Sequence, residues 1–199
     1  RYFSHQQGHI AAALFSAGAM ELLKESFIAF HVSGGTTEAV LVSPDKENVF
    51  NTQLAARSLD LKAGQAIDRT GNLLGLSFPA GPELDKLSLL SERTFRIKPY
   101  MKDGNCSISG LQNKCEKMKE NGEADADIAK YCIDYISQII SDMTKAVLDK
   151  YPGLPVVYSG GVMSNTLIRK RLKEDFGAVF AAEGFSSDNA AGLAVLASV

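Results

Sequence analysis

The sequence predicts an α/β fold in which a mixed sheet is covered by helices. Three observations carry that reading. Three short β-type runs follow one another between residues 27 and 56, joined by turn sequences too short to hold a helix. Helical periodicity then dominates from residue 62 to residue 150. After that the pattern alternates strand, helix, strand, helix, the order of parallel strands with crossover helices.

Taken in order, Ile10, Leu14, Ala17, Met20 and Leu23 recur at helical spacing across residues 8–26, so His5 and His9 fall on the first turns of that helix. Residues 27–32 and 37–42 read as strands joined by Ser33-Gly34-Gly35-Thr36, and a third strand at 48–56 follows a turn at Pro44-Asp45. Helices are expected over 62–74, 83–90 and 110–120, with an irregular stretch and a small hairpin within 93–109. The longest helix spans 126–150, with Ile128, Cys132, Tyr135, Ile139, Met143 and Val147 on its buried stripe, and Pro152-Gly153 stops it. A buried strand at 155–159, a helix at 165–175, a strand at 177–182 and a last helix at 188–197 complete the chain. Three antiparallel strands, then helices, then β-α-β-α fit one lobe of a ribonuclease H-like or actin-like ATPase architecture.

Composition excludes several classes. At 199 residues and 45% hydrophobic, the chain can bury a real core as one domain or two small lobes. A net charge of −2 with mixed signs leaves no basic tail or patch able to hold nucleic acid alone. The densest cationic cluster, Arg169, Lys170, Arg171 and Lys173, is expected on the wet face of a short helix. Cys106, Cys115 and Cys132 are an odd set at no metal or disulfide spacing, which points to reduced thiols and a cytoplasmic protein. No apolar run has the length to cross a bilayer, and no signal-peptide pattern is present.

Chemistry gathers in a few places. His5 and His9 stand one helical turn apart, which puts both imidazoles on one face within reach of one metal ion. His31, the third histidine of the chain, sits just ahead of a glycine turn. A strand followed by Ser-Gly-Gly occurs twice, at Val32-Ser33-Gly34-Gly35 and at Tyr158-Ser159-Gly160-Gly161. Paired glycines let consecutive amides point at one spot and let a ligand approach the backbone, so two such turns suggest a nucleotide in a cleft. Asn165 opens the helix after the second turn, either as its cap or as a reader of a ribose or base edge. Asp68 and Asp85 flank a Pro79-Ala80-Gly81-Pro82 loop and can accept from ribose hydroxyls. Their ordinary structural alternatives are a helix-surface charge for Asp68 and a first-turn carboxylate favoured by the helix dipole for Asp85.

Together these residues resemble the TsaD family, the universal tRNA threonylcarbamoyladenosine transferases, also called O-sialoglycoprotein endopeptidases or glycoproteases. The resemblance runs from His5 to the last residue. It comprises the H-x-x-x-H helix, V-S-G-G at 32–35, A-G-x-A-x-D at 63–68, L-L-G-L-x-x-P-x-G-P at 73–82, S-x-S-G-L at 107–111, S-G-G-V-x-x-N at 159–165 and S-D-N-A-A at 187–191. It implies the two-lobed fold of sugar kinases, Hsp70 and actin, with a nucleotide between the lobes. It also implies that His5, His9 and Asp188 bind one divalent metal, iron or zinc, with His31 as a further ligand, because His31 stands where archaeal and eukaryotic relatives place a metal-binding tyrosine. His31, Val32, Ser33, Gly34, Gly35, Asp68, Gly81, Asp85 and Asn165 would then surround the adenylate. The implied reaction moves a threonylcarbamoyl group from threonylcarbamoyl-adenylate to an adenosine beside the tRNA anticodon, with TsaB-like and TsaE-like partners.

The chain departs from the family pattern at Gln7 (usually acidic), Thr36-Thr37 (usually His-Thr or Asn-Thr), Gln65 (usually Glu) and Gln112 (usually Lys). Family members also carry roughly a hundred further N-terminal residues, about one lobe's worth, so residues 1–199 are expected to be the C-terminal part of a longer protein, with the N-terminal lobe largely missing and the fragment inactive alone. Two other functions fit the same residues. One is a non-catalytic nucleotide-binding paralogue or scaffold, motivated by the four departures. The other is a metallo-glycoprotease, weakened because Gln6 occupies the position where an H-E-x-x-H helix carries its glutamate base.

Overall fold

The computed structural model describes residues 3–182, 184–185 and 190–198. Its centre is a five-stranded mixed sheet of order β3-β2-β1-β6-β7. Strands β1 (Phe27–Val32), β2 (Thr37–Asp45) and β3 (Val49–Arg57) are antiparallel, while β6 (Val156–Ser159) and β7 (Val179–Phe180) run parallel to β1. Tyr100–Lys102 (β4) and Asn105–Ser107 (β5) form the small hairpin expected within 93–109.

Alternation along β1 sorts the two faces of the sheet. Ile28, Phe30 and Val32 join the core beneath α2 (Ala63–Leu73), α3 (Gly81–Ser88), α4 (Ser109–Glu120) and α5 (Asp125–Lys150). Phe27 and Ala29 point to the other side, into a core shared with α1 (His5–Ser16) and α7 (Ala190–Ser198). By the same alternation His31 faces α1, the helix carrying the other two histidines. The α5 stripe is buried as expected, from Ile128 through Val147. All three cysteines are buried and free.

Four boundaries differ from the sequence reading. The helix expected over 8–26 ends at Ser16, because Gly18 adopts φ 67° and the amides of Gly18 and Ala19 close on the Phe15 and Leu14 carbonyls, a glycine-terminated C-cap. Met20–Lys24 resumes as a separate 3-10 turn. Pro44 and Asp45 pair with Phe50 and Val49 as the end of β2, so the chain reverses after them, with the Asp45 carboxylate accepting from the amides of Glu47 and Asn48. The strand expected at 177–182 shortens to Val179–Phe180.

The S-x-S-G-L stretch is explained by packing. Asp60 accepts from the amides of Ile108 (2.7 Å) and Ser109 (3.2 Å) and from the Ser107 hydroxyl, tying the β4–β5 hairpin and the start of α4 to the end of β3. Burial raises this carboxyl, but those hydrogen bonds outweigh it and hold Asp60 well below the usual carboxylate range. On α6 (Thr166–Phe176) the cationic cluster is divided. Lys170 and Lys173 are exposed as expected, while Arg169 stacks over Phe180 and Arg171 bonds Gln138.

Candidate functional site

A capping box sets the pitch of α1, with the Ser4 hydroxyl accepting from the Gln7 amide and the Gln7 carboxamide accepting from the Ser4 amide. The His5 and His9 rings then meet edge to face, with their Nε2 atoms 3.1 Å apart. His31 lies beneath, its ring stacked on His9 at a centroid distance of 4.6 Å, and its Nδ1 stands 3.0 Å from Ser159 Oγ. These residues line a cavity of about 380 Å³ that also includes Gln6, Ser33, Gly35, Thr36 and Glu38. Burial first, then the neighbouring His9 and His5, lowers His31 from its ordinary 6.5 to about 4, so its ring is neutral near pH 7.

Adjacent nitrogen ligands held about 2.05 Å from a metal stand about 2.9 Å apart at a right angle and about 3.3 Å apart at the tetrahedral angle. The His5–His9 separation falls between those limits, so this pair fits two positions of a divalent transition metal. Among the described residues no three His, Cys, Asp or Glu side chains complete a metal-holding set. His31 reaches the cavity but is stacked on His9 rather than converging with the pair, and Asp188 lies outside the described residues.

A second cavity of about 730 Å³ opens on the other side of the glycine turns. Gly34, Asp68, Gly81, Asp85 and Asn165 line it, together with Gly64, Lys86, Gly161 and Thr166. Asp68 accepts from the Ala80 amide at 3.0 Å and so fixes the loop that leads to Gly81. Asp85 is not a first-turn residue: Glu83 holds that place in α3, and Asp85 accepts from the amide and hydroxyl of Thr166 at the start of α6. Asn165 caps α6, its Oδ1 accepting from Leu167 (3.1 Å) and Ile168 (3.0 Å).

The expected adenylate set therefore divides. Val32 is fully buried core and lines neither cavity, whereas His31, Ser33 and Gly35 line the histidine cavity. Both Ser-Gly-Gly turns form the partition, each giving its serine to the histidine side and a glycine, Gly34 or Gly161, to the larger side. They are clamped together. Gly160 sits at φ 98°, close against Val32, and the Gly64 amide donates to the Ser33 carbonyl at 3.2 Å. The buried Thr37 hydroxyl accepts from the Ala63 amide and anchors α2 beside that partition.

Glu38, Gln6 and Ser159 are site residues that the motifs did not single out as such. Glu38 pairs with His31 across β1–β2, and Ser159 pairs with it across β1–β6. Gln6 donates to Glu38 (2.7 Å) and accepts from Thr52 (2.9 Å). Only the strand register carries this information.

Residues 3–195 match the family model of TsaD, tRNA N6-adenosine threonylcarbamoyltransferase. The chain belongs to the TsaD family. It is 30% identical over 201 residues to the tRNA N6-adenosine threonylcarbamoyltransferase of Phytoplasma australiense, covering 95% of this chain and 60% of that one. The Dictyoglomus turgidum protein of the same name is 32% identical over 180 residues, covering 86% and 52%. The chain thus spans 52–60% of the length of these TsaD relatives. Among solved structures, full-length HypF in a phosphate- and nucleotide-bound form superposes with a TM-score of 0.73 at 16% identity, over 98% of this chain and 42% of that one. The Clostridium difficile activator of 2-hydroxyisocaproyl-CoA dehydratase, with bound ADPNP, gives 0.59 at 16% identity over 98% and 65%. These likenesses establish the actin-like ATPase fold for this TsaD chain. Among its described residues no helix is long and apolar enough to cross a membrane.

Proposed function

We propose that the whole protein of which this chain is part transfers a threonylcarbamoyl group from threonylcarbamoyl-adenylate to the adenosine beside the tRNA anticodon, in the cytoplasm, with TsaB-like and TsaE-like partners. The observation that carries this reading is the partition: two Ser-Gly-Gly turns separate a histidine cavity from a larger cavity lined with glycines and carboxylates. In the larger cavity, Gly34, Gly161 and Asn165 offer backbone and amide donors to the adenylate, and Asp68 and Asp85 accept from its hydroxyls. Across the partition, His5 and His9 would hold an iron or zinc ion together with Asp188. Such an ion supplies Lewis-acid polarisation of the carbamoyl carbonyl. In this reading an N-terminal lobe closes the cleft and the partners and tRNA dock on the whole protein.

The departures from the family pattern favour this over a non-catalytic paralogue. Gln7 donates to the Phe50 carbonyl, Gln65 accepts from the Lys62 amide, and Gln112 bridges Arg69 and Glu116. All three make structural bonds and none lines either cavity; only Thr36 of the four departures faces one. A glycoprotease reading finds little support, since Gln6 cannot take up a proton from water and is bonded at both ends of its amide. The full-length protein with its partners should restore the modified nucleoside in a depleted strain, and H5A with H9A should abolish that rescue. Equal rescue by the double variant would remove the histidine cavity from the mechanism.

A further inference from the structure

Ser159 has a single hydroxyl proton, and two neighbours compete for it. The Phe30 carbonyl oxygen, 3.1 Å away, can only accept, so the proton goes there. The 3.0 Å contact between Ser159 Oγ and His31 Nδ1 then needs a proton of its own, which only the imidazole can supply. A neutral His31 carrying its proton on Nδ1 has its lone pair on Nε2. Ser159 is itself almost fully buried and is held by the parallel register that sets it beside His31, so this arrangement is built into the sheet.

We propose that Ser159 is a positioning residue that locks His31 in its Nδ1–H tautomer, so that Nε2 is offered beside His5 and His9 as a third imidazole donor to a divalent transition metal. Histidines that ligate metals characteristically donate their other ring N–H to an oxygen acceptor, which fixes the tautomer and aims the ring. His31 has that partner already. The stacking on His9 keeps its ring within the same cavity as the α1 pair. The inference rests on the metal reading above for its ligand, but the tautomer can be read without any metal.

The test uses the full-length protein, long-range nitrogen NMR of the imidazoles, and zinc as the probe. Wild type should show His31 protonated at Nδ1, and S159A should shift it toward the Nε2–H form while the backbone amide spectrum stays native. S159A and H31A should each weaken zinc binding about tenfold, the usual cost of losing an outer partner of a ligand, and the double variant should be no worse than H31A. S159T, which keeps the hydroxyl, should restore both readouts. An Nε2–H His31 in wild type, or a tautomer unchanged in S159A, overturns the lock. A shifted tautomer with unchanged zinc affinity overturns the donor role, and a wild type that binds no zinc sinks the metal reading and the donor role with it.

Discussion

A β-carbon at Gly160 would stand 2.2 Å from the Val32 carbonyl oxygen, with the Val32 backbone closing the space around it. The partition between the two cavities is therefore a contact of backbone on backbone. Neither turn can move without the other, which is how one element can present a serine to the histidines and a glycine to the nucleotide side.

G160A should accordingly be among the costliest single-methyl additions in the chain. The residue sits at φ 98°, where a side chain is strained, and no flexible group is present to yield. A loss of about 1–3 kcal/mol from the backbone conformation alone is expected, with the clash added. Chemical denaturation of G160A and G161A side by side checks this, because a β-carbon at Gly161 meets nothing within 4 Å. Similar midpoints for the two variants would contradict the clamp.

Asn165 can be tested for two roles at once. N165A removes the cap of α6 and should cost about 1 kcal/mol. N165D keeps an oxygen for the Leu167 and Ile168 amides and places a negative charge at a helix start, so its melting temperature should hold. The same variant removes an N–H donor from the larger cavity and repels a phosphate. AMP binding should weaken about tenfold, or 1.4 kcal/mol, in a stable protein, measured by calorimetry.

Q7E should destabilise this chain even though the position is usually acidic in the family. Gln7 is buried, and its amide nitrogen donates to the Phe50 carbonyl at 2.8 Å. A carboxylate there still accepts from Ser4 but faces the carbonyl without a proton, a cost of about 1–3 kcal/mol. Thermal melts at neutral pH and at pH 4 separate the causes, since protonating the introduced carboxylate restores a donor and should narrow the gap to wild type.

How much of this was legible beforehand depends on whether the controlling contact is local. The i, i+4 histidines, the Asn165 cap and the α5 stripe are properties of one segment, and all three read correctly from sequence. The early end of α1 was obscured because Met20, Leu22 and Leu23 continue to pack on the same core after Gly18 turns the chain. Glu38, Ser159 and the Asp85–Thr166 bond come from strand register or from the meeting of two helices, which spacing along the chain does not encode. The division of Val32 to Gly35 between core and two cavities follows from strand alternation and the turn that ends it, so one motif reads as one site while its residues face different ways.

His31 should also leave a signature in the pH dependence of stability. Its folded value, about 4, lies below the ordinary 6.5, so between those limits the unfolded chain binds a proton that the folded one does not. The sign follows directly: more protons on the unfolded state means stability rises with pH across this window and is lost as pH falls through it. The cause is burial beside two other imidazoles, so a neutral residue of similar size should erase the contribution. Urea midpoints of wild type and H31Q, measured from pH 4 to pH 7, should diverge at the upper end of the range and converge toward its lower end, with the wild-type slope steeper. Parallel slopes for the two proteins would mean that His31 titrates as an exposed histidine and that the cavity is open to water.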